Sequence, residues 1–386
     1  MSRLTRREFL EALLRRGLAL GLTGLGWRML AGCGRPAPAS LQRSGTTPVP
    51  AAHELRFYRR LAEGAVQCQV CFRSCVILPE RLGACHNVKN VGGRAFSLVH
   101  SRPCALQADP IEKEPVFHML PGSRIFCTGT ASCNFHCKYC QNWEFAQRTL
   151  WEVEAIEATP AEVVARALEA SCRAVSFTYN DPIVFYDYML DILEEARAAG
   201  LRTVCHTNGS LEPEALRALL ERLDAIVIDL KGFREAFYRE VCDGELAPVL
   251  RALEQVGQSG THLEIVHLLV PRYNDRPQET RQMCRWIAST LGPNVPLHFL
   301  RFFPSYRFQR LPPTPVETLE QAAQIALEEG LRYVYIGNLP GHPRNSTYCP
   351  TCGRMVIERI QFVVYAVEIE RGRCRFCGTP IPGIWD

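Results

Sequence analysis

The sequence of 386 residues is poor in lysine and has almost no excess of either charge. It carries 44 basic and 40 acidic residues, and only four of the basic residues are lysines. A net charge of +4 is too small for the basic surface that binds nucleic acid, so we expect no nucleic-acid partner. Six arginines and two glutamates lie in residues 1–33, so the whole excess belongs to the N-terminus and the rest of the chain is neutral.

The N-terminus also lacks a long apolar run. The uncharged stretch 17–27 is about 11 residues long, too short to span a bilayer as a helix. Thr5-Arg6-Arg7-Glu8-Phe9-Leu10 resembles a twin-arginine export signal, and Leu30-Ala31-Gly32-Cys33 resembles a lipobox. We predict a signal over residues 1–33, a Pro-rich linker over 34–52, and export by the twin-arginine route with a membrane tether through lipidated Cys33. A cytoplasmic protein with an amphipathic N-terminal helix is the alternative.

Eighteen cysteines stand out, and they are clustered rather than scattered like a disulfide framework. The first cluster is Cys68-x2-Cys71-x3-Cys75 followed by Cys85, within a predicted N-terminal region over residues 53–120. Four thiolates can hold one zinc ion or an iron–sulfur cluster, and the spacing does not decide between them. A redox pair beside buried cysteines is the alternative.

The central cluster is Cys133-x3-Cys137-x2-Cys140, which follows a short predicted strand at 124–127. Three thiolates can hold three irons of a [4Fe–4S] cluster and leave the fourth iron open to a ligand. Tyr139 can pack over such a cluster. A zinc site completed by Cys127 or His136 is the alternative. The spacing resembles the signature of the radical S-adenosylmethionine (SAM) superfamily, which implies that the open iron binds SAM.

Strand and helix patterns alternate after the central cluster. Repeated units of this kind predict a parallel sheet, and six or seven of them indicate an α/β fold with a complete or partial (β/α) TIM-like barrel over residues 121–345. An open doubly wound sheet is the alternative. The predicted strands are 175–178, 202–206, 225–230, 263–270, 297–301 and 333–337, and the predicted helices are 183–199, 212–222, 276–291 and 316–329.

Polar residues follow the predicted strands at their carboxyl ends, where parallel sheets bind ligands. Each group alone is explained by turn chemistry. Six such groups in succession favour a binding site, so we assign SAM binding to the polar residues nearest the strand ends. These are Tyr179, Asn180, Asp181, His206, Thr207, Asn208, Asp229, Lys231, Arg301 and Asn338.

The C-terminal residues 346–386 carry two Cys-x2-Cys-Gly knuckles, Cys349 with Cys352 and Cys374 with Cys377. Each knuckle turns two sulfurs toward one metal, and the glycine permits the turn. The β-branched stretch 356–369 between them suits a hairpin. The pattern predicts a zinc-ribbon or rubredoxin-like module that binds zinc or iron.

Taken together, the motifs resemble the AmmeMemoRadiSam-system radical SAM proteins, relatives of the pyruvate formate-lyase activating enzymes, over residues 66–386. The resemblance implies that Cys133, Cys137 and Cys140 ligate the cluster and that residues 179–182 replace the Gly-Gly-Glu strand end that binds the SAM amino group. His206 stands where related activases have an aspartate beside a cation, and Phe303 stands where the family has a histidine, so neither of those roles is expected here. The matching stretches are 109–115, 118–123, 137–143, 179–182, 229–232 and 312–317.

The predicted function is reductive cleavage of SAM to a 5′-deoxyadenosyl radical, which abstracts hydrogen from a substrate that no motif identifies. An electron donor of flavodoxin or ferredoxin type is expected. Two alternatives are an activating enzyme for a glycyl radical enzyme, whose substrate is a protein, and a non-catalytic electron-transfer protein. No residue beyond the cofactor ligands is assigned to catalysis. The remaining cysteines are interpreted as buried small hydrophobes: Cys104, Cys127, Cys172, Cys205, Cys242 and Cys284.

Overall fold

In a computed structural model, which describes residues 53–386, the chain is built around one sheet of eight strands. The predicted signal and linker lie outside these residues. The first strand pairs antiparallel with the second, and all later pairs are parallel. The strands are β1 (Ala105–Pro110), β2 (Arg124–Gly129), β3 (Ala174–Phe177), β4 (Arg202–Thr207), β5 (Ala225–Asp229), β6 (His262–Leu269), β7 (Leu297–Arg301) and β8 (Val334–Gly337).

Six helices connect the parallel strands. Proline lies at the first turn of α1, α3 and α5, where its missing N–H costs nothing, and Gly200 and Gly330 adopt positive φ just after α2 and α6. The helices are α1 (Pro160–Glu169), α2 (Tyr186–Ala198), α3 (Pro213–Leu220), α4 (Leu246–Gly257), α5 (Pro277–Thr290) and α6 (Val316–Glu328). Four of them were predicted to within a few residues.

Two of these helices and one strand of the eight-stranded sheet were not predicted, and neither were the strands of the N-terminal lobe. Helix α1 has a clear start signal, a Thr159 and Glu162 capping box, which the prediction overlooked. Helix α4 contains Pro248 and ends at Gly257, which weakens its pattern. Strand β1 ends in Asp109 and Pro110, residues that disfavour strands, and it extends the sheet to the N-terminal side of the predicted boundary at residue 121.

The sheet is a partial barrel. Strand order follows chain order from β1 to β8, so the sheet has no topological switch point and the doubly wound alternative is wrong. Within residues 53–386, no ladder joins β8 back to β1, so the barrel is open.

Alternate residues of the strands face two different apolar layers. On β5, Ile226 and Ile228 pack toward the helices, whereas Ala225 and Val227 face the inside of the barrel. The inside layer packs against residues 111–120, and the C-terminal tail closes the same end. Leu120 N–H donates to the Ile384 carbonyl at 2.8 Å. The base of the barrel is therefore filled, and the open space lies at the carboxyl ends of the strands.

An N-terminal lobe lies against those carboxyl ends. The amide of Phe72 donates to the Ser210 carbonyl at 2.9 Å, and Ser132 Oγ donates to the Cys85 carbonyl at 2.7 Å. The lobe thus brings the first cysteine cluster to the loop that follows β2. Its two small antiparallel sheets contain Tyr58–Arg60, Val66–Cys68 and Val76–Ile77, and His53–Glu54, Val88–Val91 and Arg94–Ser97.

The C-terminal module packs on the other side of residues 111–117. Its main hairpin, predicted over 356–369, consists of Met355–Ile360 and Val363–Val367. Smaller pairs are Thr347–Tyr348 with Met355–Ile360, and Ile369–Glu370 with Arg373–Cys374. No helix among the described residues is long and apolar enough to span a membrane.

Candidate active site

A cavity of about 480 Å³ lies at the carboxyl ends of the strands. The three cysteines of the central cluster line it, together with nine of the ten residues predicted to bind SAM. The exception is Arg301, which donates through Nε to the Thr314 carbonyl at 2.9 Å and lies over the Phe303 ring. The lining residues from the prediction are Tyr179, Asn180, Asp181, His206, Thr207, Asn208, Asp229, Lys231 and Asn338.

The loop that carries the three cysteines is held on one side by residues 241–242. The amide of His136 donates to the Cys242 carbonyl at 2.8 Å, and the amide of Lys138 donates to the Val241 carbonyl at 2.9 Å. Cys137 is the deepest of the three thiols, with 7% of its surface exposed. The loop therefore presents its sulfurs to the cavity from a fixed backbone.

These thiols fit a cluster with one open iron better than a closed zinc site. A zinc ion with bonds of about 2.3 Å draws its sulfurs to roughly 3.8 Å from one another. In the described part of the chain, no three ligand atoms that include a thiol of this loop lie within 4.8 Å of one another. Cys127 contacts Glu114 inside the barrel, and His136 pairs with Asp243, so neither proposed zinc ligand completes the set.

Asn180 and Asp181 bind neighbouring loops and so fix the shape of the cavity. Asn180 Nδ2 donates to the Ser132 carbonyl at 2.7 Å, in the segment just before the first cysteine. Asp181 accepts from the Asn208 amide at 2.6 Å and from Thr207 Oγ1 at 2.9 Å. Burial raises the pKa of Asp181 to about 6. The strand ends of β2, β3 and β4 are thereby tied together.

A row of alternating charges crosses the cavity wall. His206 Nδ1 lies 3.4 Å from Glu114 Oε1, and His206 Nε2 lies 3.1 Å from Asp229 Oδ1. Lys231 Nζ lies 2.8 Å from Asp229 Oδ2. Burial lowers the pKa of His206, but Asp229 and Glu114 outweigh it and raise this pKa to about 10. His206 is therefore a cation at neutral pH, held between two carboxylates.

Comparison with known proteins identifies the superfamily of this chain. Residues 128–284 match the Radical SAM superfamily. The chain is 41% identical over 330 residues to a protein of Methanocaldococcus jannaschii named Uncharacterized protein MJ0808, covering 85% of this chain and 98% of that protein. The chain belongs to the radical SAM superfamily. It is a radical SAM enzyme, and membership implies a [4Fe–4S] cluster and SAM as its cofactors.

The chain also has more distant similarities to characterised enzymes. The pyruvate formate-lyase-activating enzyme of Listeria monocytogenes is 23% identical over 190 residues, which are 45% of this chain and 73% of that enzyme. A radical SAM methyltransferase of Sphaerobacter thermophilus has a TM-score of 0.45 at 15% identity, over 61% of this chain and 71% of the other. This radical SAM enzyme is thus related to the activating enzymes.

The pH dependence of stability should report the charge of His206. Because folding raises the pKa of His206, the protonated imidazole stabilises the folded state. This contribution is complete at pH values below the ordinary imidazole pKa of 6.5, and it is lost as the pH rises through about 10. We expect His206→Gln to lower the melting temperature most near pH 6, with a difference from wild type that shrinks toward pH 10. The control is His342→Gln, because His342 also lies beside a carboxylate, that of the exposed Glu320, but outside the candidate active site. A difference that grows with pH would contradict the assignment.

Three residues of the site were not predicted. Glu114 lies in the stretch 109–115, whose resemblance to the family implied no role for this residue. Its carboxylate accepts a hydrogen bond from Ser176 Oγ at 2.8 Å. Asn134 accepts from Asn208 Nδ2 at 2.8 Å, and its position beside Cys133 was the available signal. Cys242 lies near Tyr139, with 3.6 Å between the hydroxyl and Sγ. Cys242 is isolated in the sequence, so only the fold reveals its position.

The six cysteines interpreted as buried hydrophobes mostly fit that description. Cys127, Cys172, Cys205, Cys242 and Cys284 are buried. Cys104 is only partly buried, and the interpretation is incomplete for Cys242 because it neighbours the loop of the active site.

The four C-terminal cysteines form a compact cluster in the radical SAM enzyme. All four sulfurs lie within 4.8 Å of one another, with Cys349 and Cys377 3.6 Å apart and Cys352 and Cys374 3.8 Å apart. Gly353 and Gly378 have φ of 68° and 74°, the left-handed conformation that the knuckles require. The clustering is confirmed, and the identity of the metal stays a prediction.

Proposed function

We propose that this enzyme cleaves SAM reductively and uses the resulting radical to abstract hydrogen from a substrate. The observation that carries the proposal is the meeting of the three thiols of the central cluster and the polar strand ends around one cavity of about 480 Å³. Ligand sites usually have volumes of about 300–1,000 Å³. When bound, a reduced [4Fe–4S] cluster supplies the electron that splits SAM into methionine and a 5′-deoxyadenosyl radical.

The chain's own residues support this chemistry in two ways. Lys231 lines the same cavity as Cys137 and is held by Asp229, so a fixed positive charge faces the space in which a negatively charged cluster would bind. Apolar side chains line the other wall and exclude water from the space in which a radical would form. They include Val266, Leu268 and Leu300.

The proposal is tested by anaerobic turnover. We expect the protein without residues 1–52, reconstituted with iron and sulfide and reduced with dithionite, to produce 5′-deoxyadenosine and methionine from SAM. The product should need both reductant and SAM. A fully loaded cluster that yields no nucleoside and shows no spectral change on adding SAM would contradict the proposal and favour the electron-transfer alternative.

The relation to activating enzymes supports a second candidate, formation of a glycyl radical on a partner protein. We expect such an activity to give the electron paramagnetic resonance doublet of a glycyl radical when a pyruvate formate-lyase type protein is added to the turnover mixture. 5′-Deoxyadenosine without that doublet would favour a small-molecule substrate. The narrower placement among AmmeMemoRadiSam proteins is part of this proposal.

Export by the twin-arginine route, with Cys33 as a lipid anchor, belongs to the same proposal. The order of the motifs in residues 1–33 supports it, since this route carries proteins that have already acquired their cofactors. Cell fractionation tests it: a lipidated, shortened protein in the membrane fraction is expected. Full-length protein confined to the cytosol would contradict it.

The C-terminal module is proposed to be a zinc-ribbon or rubredoxin-like domain. Sulfur separations of 3.6 and 3.8 Å support one tetrahedral ion, zinc or iron. Metal analysis of the Cys349→Ala and Cys352→Ala double variant should show the loss of one ion per chain. An electron donor of flavodoxin or ferredoxin type remains proposed for the active-site cluster.

A further inference from the structure

A second cavity lies in the N-terminal lobe, and all four cysteines of the first cluster line it. Most of the other lining residues are apolar, so the thiols are the principal chemical groups that face this space. The lining residues include Leu55, Val70, Ile77, Val88, Ile183 and Val184. Four thiols converging on one apolar chamber, from residues 68–85, indicate a built ligand site rather than isolated buried cysteines.

The spacing of these sulfurs distinguishes this site from the C-terminal one. Among the described residues, no three of the sulfurs of Cys68, Cys71, Cys75 and Cys85 lie within 4.8 Å of one another, whereas all four C-terminal sulfurs do. The thiols of the active-site loop share the wider spacing. A single tetrahedral ion needs close sulfurs, but a cubane cluster binds each cysteine at a different iron and so holds them farther apart.

The surroundings of the sulfurs also suit a cluster. Burial raises the pKa of the Cys68, Cys71 and Cys85 thiols, and the nearby backbone amides of Val70, Arg73 and Asn87 lower it. Hydrogen bonds to cysteine sulfurs stabilise the negative charge of a bound iron–sulfur cluster.

The second cavity adjoins the active-site loop. Asn134, the neighbour of Cys133 in the chain, lines this cavity together with Cys71. Arg73 Nε donates to the Asn134 carbonyl at 2.7 Å. The same asparagine accepts from Asn208 in the active site. Asn134 therefore links the wall of the second cavity to the loop that carries the active-site cysteines.

We propose that Cys68, Cys71, Cys75 and Cys85 bind a second iron–sulfur cluster of the four-iron type, next to the cluster of the active site. The site is independent of SAM cleavage, so it stands or falls separately from the proposed function.

The test removes the ligands of the active-site cluster and measures the iron and sulfide that the protein still binds. In a Cys133→Ala, Cys137→Ala and Cys140→Ala variant, reconstituted anaerobically, we expect about four irons and four acid-labile sulfides per chain from the second site. Dithionite should give a paramagnetic signal that SAM does not alter. The C-terminal site contributes at most one ion and no sulfide. Adding the Cys349→Ala and Cys352→Ala substitutions removes this ion, so its contribution can be subtracted.

Adding Cys71→Ala and Cys75→Ala to that variant should remove the remaining iron and sulfide, whereas adding Cys172→Ala should not. About one zinc ion without sulfide at the first cluster would overturn the proposal, and so would no metal at all. If the added substitutions prevent folding, iron and sulfide analysis of the wild-type protein still tests the proposal. We expect it to hold about eight irons and eight sulfides, and about four of each in fully loaded protein would overturn the proposal.

Discussion

Replacing Cys137 by alanine is expected to abolish the formation of 5′-deoxyadenosine. Three thiolates are the minimum that holds three irons and leaves the fourth for SAM, so two thiolates cannot keep the cluster in place. Cys137 is the most buried of the three, and Lys231 lines the same cavity. Water entering the gap left by alanine is a poorer ligand than the lost thiolate. Nucleoside detection by liquid chromatography, with iron and sulfide analysis, measures the effect.

Cys242 makes this experiment sharper. Its sulfur lies 3.6 Å from the hydroxyl of Tyr139 in the same loop, so this thiol is a candidate to replace the missing ligand. The double variant Cys137→Ala and Cys242→Ala removes that substitute, and Cys172→Ala is the control for loss of a buried thiol away from the site. Wild-type levels of nucleoside in the double variant would refute the assignment of Cys137 as a cluster ligand.

Replacing Arg359 by methionine is expected to lower the free energy of unfolding by about 3 kcal/mol, the lower end of the cost of breaking a buried ion pair. The guanidinium is fully buried and lies 3.4 Å from Glu112. It donates to the Phe117 carbonyl at 2.6 Å and to Thr347 Oγ1 at 2.7 Å. Methionine fills the volume but removes the side-chain donor to the Phe117 carbonyl and the positive charge beside the buried carboxylate, which keeps only the Gly122 amide.

Urea denaturation checks this prediction, and its pH dependence checks the cause. Burial already raises the pKa of Glu112, and removing the cation raises it further. The folded variant then holds a proton that the unfolded chain releases, so we expect the loss of stability to be smaller at pH 5 than at pH 8. Adding Glu112→Gln should recover part of the loss. A loss that Glu112→Gln leaves unchanged at every pH would show that packing of the arginine stem, not its charge, is responsible.

Arg359 also explains how the C-terminal module is attached. It joins the module's hairpin to residues 112–117, and Glu112 and Phe117 line the active-site cavity. We therefore expect Arg359→Met to expose the module to limited proteolysis before the barrel unfolds.

Much of the active site was predictable because its signals are local. Cys133, Cys137 and Cys140 lie within eight residues, so their joint position follows from one loop. The polar strand ends converge because parallel strands bring their carboxyl ends to one edge, a consequence of periodicity alone. His206 and Asp229 end adjacent strands β4 and β5, so their contact needed no further information than strand order.

Other features depended on contacts between distant parts of the chain. Arg301 ends a strand like the other predicted residues, yet its side chain binds Thr314, because the partner that decides its direction comes 13 residues later. Cys242 packs beside Tyr139 of the cysteine loop from more than a hundred residues away, and Glu114 reaches His206 across the barrel. No pattern of local spacing encodes such pairs.

The sequence by itself determined the cofactor chemistry of this protein, because the three-cysteine loop and the strand ends are built from neighbouring residues. The tertiary structure decided how far apart the other thiols lie. Cys68-x2-Cys71 and Cys349-x2-Cys352 have the same spacing in the chain. At the C-terminus, a second knuckle folds back onto the first and closes a compact set of sulfurs. In the N-terminal lobe, Cys68, Cys71, Cys75 and Cys85 line one cavity, but no three of their sulfurs lie within 4.8 Å of one another. The difference depends on how the backbone brings the second pair of cysteines back to the first pair, and the spacing of cysteines in the sequence does not specify that path.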